Sequence, residues 1–203
     1  MRRKMENLEL LNDHYKDSFG LLKNEQSNRN RLFICLCVVI IIHFFLIVNS
    51  NSLMTIFINL LKNTYNVDIS NQINLVQNLL WFILLYFTMR YYQSNIYIER
   101  QYKYIHKIEE DISKFSKIEF YRESKNYLNY YPLILDFIHI IYTWIFPLFF
   151  EIVITSRIIN EYYSYSYVNM KIFLIIDFII FLCCFALTIL YIIAMHKKIS
   201  KNK

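Results

Sequence analysis

The chain has 203 residues, 56% of them hydrophobic and 18% aromatic, with a formal net charge of +6. One glycine (Gly20) and two prolines (Pro132, Pro147) leave little for tight turns and exclude a glycine-rich phosphate cradle. The apolar residues lie in long blocks with the charges gathered between them, which points to a membrane protein and away from a soluble domain.

The first element covers residues 1–31. Leu8, Leu11, Tyr15, Phe19 and Leu22 recur every three or four residues and form one face of an amphipathic helix. Its acids Glu6, Glu9, Asp13 and Asp17 are free to face bases elsewhere in the chain. The first apolar block runs from Leu32 to Val48, broken only by His43, and can continue to Met54. No small-residue cleavage site follows it, so a cleavable signal peptide is not expected. Leu53, Ile56, Phe57, Leu60 and Leu61 then repeat at helical spacing, as a surface segment or as an extension of the span.

Three further apolar blocks follow, Ile73 to Tyr92, Pro132 to Ile154 and Ile172 to Met195. Each has roughly the 20 residues a helix needs to cross ~30 Å of hydrocarbon. A helix also satisfies its own backbone polar groups in lipid. The expected fold class is an all-α integral membrane protein with four transmembrane helices and a cytoplasmic helical extension of the second. Its parts are 1–31, a first transmembrane pair at 32–92, a charged connection at 93–130, a second pair at 131–195 and a basic tail at 196–203. Pro147 predicts a kink midway along the third span. Tyr91, Tyr92, Tyr130, Tyr131 and Tyr191 are placed for aromatic belts.

Of the 22 Lys and Arg residues, seven precede the first span, eight lie in the connection (counting Arg90) and four in the tail. The other side holds Lys62, Arg157 and Lys171, and its second loop carries Glu161 and a run of tyrosines. The positive-inside rule therefore puts both termini and the connection in the cytoplasm of a bacterial inner membrane. The bases flank spans and carry no nucleic-acid motif, so membrane lipids, not nucleic acid, are their expected partners.

The connection bears a narrow heptad-like stripe, Ile98, Ile105 and Ile112 at one position and Ile108 and Phe115 at the other, broken by Gln101. Such a stripe must pack on another helix. The N-terminal face is one candidate, and the same face of a second copy is another. A homo-oligomer and a cytoplasmic protein partner are the associations to expect.

Ionisable groups inside spans are costly and face a bundle interior or a cavity. The candidates are His43, Arg90, Asp136, His139, Glu151 and Asp177. Arg90 and Asp136 share one depth, Asp136 and His139 lie one turn apart, and Glu151 and Asp177 share another depth with Arg157 above. They form either a structural lock or the lining of a wet path. No catalytic motif is present, and no cofactor is expected. Cys35, Cys37, Cys183 and Cys184 lie in apolar blocks and suit small hydrophobic packing better than a metal site or a disulfide.

An N-terminal charged helix leading directly into a span, and a second span running into the cytoplasmic stretch Ile98-Glu99-Arg100-Gln101-Tyr102-Lys103-Tyr104-Ile105-His106-Lys107-Ile108-Glu109-Glu110, resembles the bacterial SLATT-type membrane domains. The resemblance covers about residues 8 to 115 and lies in layout. It implies a pore-forming effector of anti-phage systems. The second pair of spans departs from that layout, and the span count is similar to that of membrane subunits of two-gene phage-defence systems such as Kiwa. The function to expect is a non-enzymatic, oligomeric membrane sensor or pore-type effector. The alternatives are a membrane anchor for a cytoplasmic partner and a small channel or transporter.

Overall fold

From the N-terminus to Tyr131 the chain has no proline, so nothing there removes a donor from a helical hydrogen-bond ladder. The computed structural model describes residues 2–65, 73–124, 137–138, 140–164 and 171–196. It contains α1 (Arg2–Tyr65), α2 (Ile73–Ser116), a π-helical turn (Ile141–Ile145), α3 (Phe146–Ser164) and α4 (Lys171–His196). The described residues include no strand. Three helical segments are long and apolar enough to cross a membrane, within Leu8–Asn49, Ile141–Tyr163 and Ile172–His196.

α1 is two helices joined at a break. Asn49 leaves helical geometry (φ −153°, ψ 75°). Its Oδ1 accepts a hydrogen bond from Ser52 N at 3.2 Å, the bond of a helix N-cap. The extension beyond the first apolar block is therefore helical, but it starts afresh at Asn49.

α3 departs from the expected span. Pro147 is its second residue, not its midpoint, and the helix runs on to Ser164 instead of ending near Ile154. The π-helical turn runs directly into α3, and its wider hydrogen-bond spacing accommodates a residue that has no N–H and whose ring would crowd the preceding carbonyls. Arg157 and Glu161, expected in an outer loop, lie inside the helix. The expected start of the span at Pro132 lies outside the described residues.

The chain divides into two compact units, residues 1–31 with 92–141 and residues 32–91 with 142–203. In the first unit the two expected stripes meet within one chain. Tyr15 and Leu22 pack with Ile98, Ile105, Ile108 and Ile112, and Leu8, Leu11, Phe19 and Tyr102 close over them. Phe115 does not join this seam and is 43% exposed. The helix ends one residue later, at Ser116. There Lys117 turns left-handed (φ 61°), and its N–H donates to the Ser113 carbonyl at 3.0 Å, an αL cap. The chain then folds back and sets Phe120 edge-on against Tyr15, with ring centroids 5.3 Å apart. Asp13 pairs with Lys16 of its own helix at 3.7 Å.

Gly20 lies in mid-helix, where it costs stability relative to alanine, and a Cβ there would meet no heavy atom within 4 Å. Gly20→Ala is expected to raise stability by ~1 kcal/mol. A higher thermal midpoint of the detergent-solubilised chain is the expected reading; a lower one would mean that the space belongs to something else.

In the second unit α3 and α4 pack against each other. At one end Phe33 of α1 packs at a tilt against Tyr91 of α2 and Phe146 of α3, with centroids 5.6 and 4.9 Å away. Tyr91 and Tyr191 are buried here and do not form a lipid-facing belt. Tyr191 donates to the Tyr142 carbonyl at 3.4 Å. Tyr92, in the first unit, is buried too, while Tyr130 and Tyr131 lie outside the described residues.

Candidate functional site

One face of α3 carries Phe150, Val153, Ile154, Arg157, Ile158 and Glu161, spaced three or four residues apart, and all are buried. The face is apolar except for the last pair. Arg157 Nη2 lies 2.6 Å from Glu161 Oε1, an i, i+4 ion pair with both side chains 3% exposed. Such a pair offsets its desolvation only when further hydrogen bonds hold it.

Those bonds come from two other helices. Trp81 Nε1 of α2 donates to both Glu161 oxygens, 3.2 Å from each. Arg157 Nη1 donates to the Leu46 carbonyl of α1 at 3.2 Å. Asn160 Nδ2 donates to the next carbonyl, Ile47, at 2.9 Å. The break at Asn49 explains these acceptors. A helix end leaves its last carbonyls without amide donors, and the negative end of its dipole attracts a cation. Arg157 and Asn160 together cap the first segment of α1.

His43, one turn before Leu46, packs edge-on against Trp81 at 5.1 Å between centroids, and its Nε2 lies 3.5 Å from the Leu80 carbonyl. From α4, Asp177 is fully buried and interacts electrostatically with Arg157 and Glu161. Asn78 of α2 donates to the Phe173 carbonyl at 3.4 Å, one turn from Asp177. All four helices of this unit thus meet at one polar network.

Of the expected site residues, His43 and Asp177 belong to this network. Glu151 does not. The longer α3 shifts its register against α4, so Glu151 faces Thr188 while Glu161 takes the level of Asp177. Arg90 is exposed on α2. Asp136 and His139 lie outside the described residues. Arg157 was expected above Asp177 and is found beside it, whereas Glu161, Trp81 and Asn160 were not expected here. The available signal was a base and an acid four residues apart, both in phase with the apolar face of α3.

The first unit has a polar centre of its own. Glu109 lies on the seam, four residues after Ile105, and is 0% exposed. Its Oε1 accepts from Tyr15 Oη at 3.2 Å and from Glu123 N at 2.9 Å. Its Oε2 accepts from Ser124 N at 3.1 Å and Ser124 Oγ at 2.7 Å. The carboxyl thereby fastens the returning segment after α2 to the seam. His106 Nε2, 2.9 Å from the Glu123 carbonyl, holds the same turn. Burial, with the Glu109 charge next to it, pushes the Tyr15 hydroxyl up to about 12.

Fold and site together define an all-helical protein of membrane-crossing type with a four-helix polar network in its apolar unit. No family model matches the chain, and no curated protein and no solved structure is significantly similar to it. Among the described residues no three His, Cys, Asp or Glu side chains are grouped so as to hold a metal ion. The network links the helices of this unit through one buried ion pair and its hydrogen bonds.

Proposed function

We propose that the chain is a four-span membrane protein, with both ends and residues 93–130 on the cytoplasmic side, that works as a membrane sensor or pore-type effector. The observation that carries this reading is the buried Arg157–Glu161 pair, held at once by α1 and α2. A contact of this kind has a definite made state and a definite broken one, as a switch requires. The paired groups are closed off from outside, which supports reading the described arrangement as a shut state.

Two facts support the topology. Arg157 falls inside α3, so the outer side keeps only Lys62 and Lys171 against nineteen bases on the inner side. The α2 segment from Ile73 to Tyr91 is not apolar enough to stand as a span by composition. It nevertheless places Trp81, Leu84 and Tyr91 in the same core as the three apolar segments. α1 and α2 each contribute residues to both units. The resemblance to SLATT-type layouts supports a setting in anti-phage defence.

Glu161→Gln keeps the shape and removes the charge that holds Arg157. Cells expressing this variant, at wild-type amounts in the membrane, are expected to take up a small impermeant dye and to lose membrane potential. If neither Glu161→Gln nor Arg157→Gln changes either quantity, the switch reading fails.

A further inference from the structure

We infer that Asp177 is a proton-exchange site whose charge decides which carboxyl holds Arg157. The inference rests on the switch reading above and names what drives it. Asp177 is fully buried in α4, and neither of its oxygens has a hydrogen-bond partner among the described residues. The groups around it are known from every helix of the unit. α3 supplies Arg157 and Glu161. α1 supplies His43, which interacts electrostatically with Arg157 and whose Nδ1 has no partner among the described residues. α2 supplies no ionisable group here, only Trp81 and Asn78.

Counting charge shows what is missing. Arg157 balances Glu161. An ionised Asp177 would add a second negative charge with no cation of its own, and a bare carboxylate away from water is too costly to persist. One proton on the carboxyl removes that cost. A metal cation would need a shell of oxygens, whereas the buried oxygens left without a partner beside Arg157 are those of Asp177 and Asn78. When the proton leaves to water, two carboxylates compete for one guanidinium. Arg157 has a donor to offer, because its buried Nε–H has no partner among the described residues. Movement of the guanidinium toward Asp177 strips Glu161 of its cation and alters the acceptor that Trp81 binds.

Trp81 therefore reports the switch. The chain has two tryptophans, so Trp144→Phe leaves Trp81 alone. The test uses the full chain with that substitution in lipid nanodiscs, followed by fluorescence across the pH range and by infrared spectroscopy of carboxylic-acid carbonyls. The expected result is a one-proton transition in Trp81 emission, accompanied by loss of a protonated-carboxyl band. Asp177→Asn should abolish both, while Glu151→Gln should leave both in place. Asp177→Glu keeps the titratable group and should keep a transition at a shifted pH, which separates proton exchange from loss of fold. A transition that survives Asp177→Asn, or one that disappears with His43→Gln alone, overturns the inference. So does a change in emission driven by replacing choline with sodium at fixed pH, because the bound cation is then not a proton. The readout needs no flux, so failure of the dye assay and failure of proton exchange are separately visible.

Discussion

Replacing Arg157 with alanine is expected to cost the apolar unit about 3–5 kcal/mol, the usual penalty for stranding one member of a buried ion pair. Three losses combine. Glu161 keeps a buried charge with only Trp81 to answer it. The Leu46 carbonyl, near the break in α1, loses its guanidinium donor. A large side chain leaves a void among packed apolar neighbours. Arg157→Lys should recover part of the loss, because one ammonium replaces one of the two contacts but cannot span both. The double change Arg157→Met with Glu161→Leu should be milder than Arg157→Ala alone, since it removes both charges and fills the space. Thermal midpoints in detergent test this order. If Arg157→Ala melts with the wild type, the pair holds nothing.

The second large effect belongs to Glu109. Glu109→Ala should detach the segment Lys117–Ser124 and cost about 3–5 kcal/mol. It leaves four donors without an acceptor, namely Tyr15 Oη, Glu123 N, Ser124 N and Ser124 Oγ. Each costs about 1–3 kcal/mol if it stays buried, less where water reaches it. Hydrogen exchange should show the 117–124 amides unprotected in Glu109→Ala while residues 98–105 of α2 stay protected. Glu109→Gln should fall between, because its amide nitrogen turns a donor toward donors. The same contact sets a pH dependence. The Tyr15 hydroxyl is raised to about 12 from its usual 10, so the folded form holds that proton more tightly than the unfolded chain does. Its contribution is complete below pH 10 and is lost as pH rises through 12. Equal stability at pH 9 and pH 12 would remove this assignment.

The helices themselves were legible because hydrophobic period and block length act locally, but the bounds of α3 and the break in α1 were not. The seam between α1 and α2 was legible as well, since Leu8, Leu11, Tyr15 and Leu22 and the isoleucines of α2 each show their own period. Phe115 failed because a period does not announce where the helix stops, and the αL turn at Lys117 ends it one step too soon. Arg157 and Glu161 read as loop residues because charge ordinarily marks a loop. What makes them tolerable is a carbonyl 111 residues away and an indole 80 residues away, which no local pattern displays. Glu109 was hidden in the same way among exposed charges, although its place four residues after Ile105 put it on the buried face. The broken end of α1 is a further case. The Asn49-Ser50-Asn51-Ser52 run reads as a continuation of the span to Met54, and no local pattern shows that the helix breaks there or that two side chains of α3 bond to carbonyls at the break.

The arrangement of the helices in the membrane is the claim on which the switch depends. Labelling single cysteines with a membrane-impermeant thiol reagent tests it most directly, in a background where the four native cysteines are replaced. Asn63→Cys, near the end of α1, should react in intact cells, and Lys114→Cys, near the end of α2, should react only after permeabilisation. Labelling of Lys114→Cys from outside, or protection of Asn63→Cys until the cells are opened, would contradict the four-span arrangement and the switch built on it.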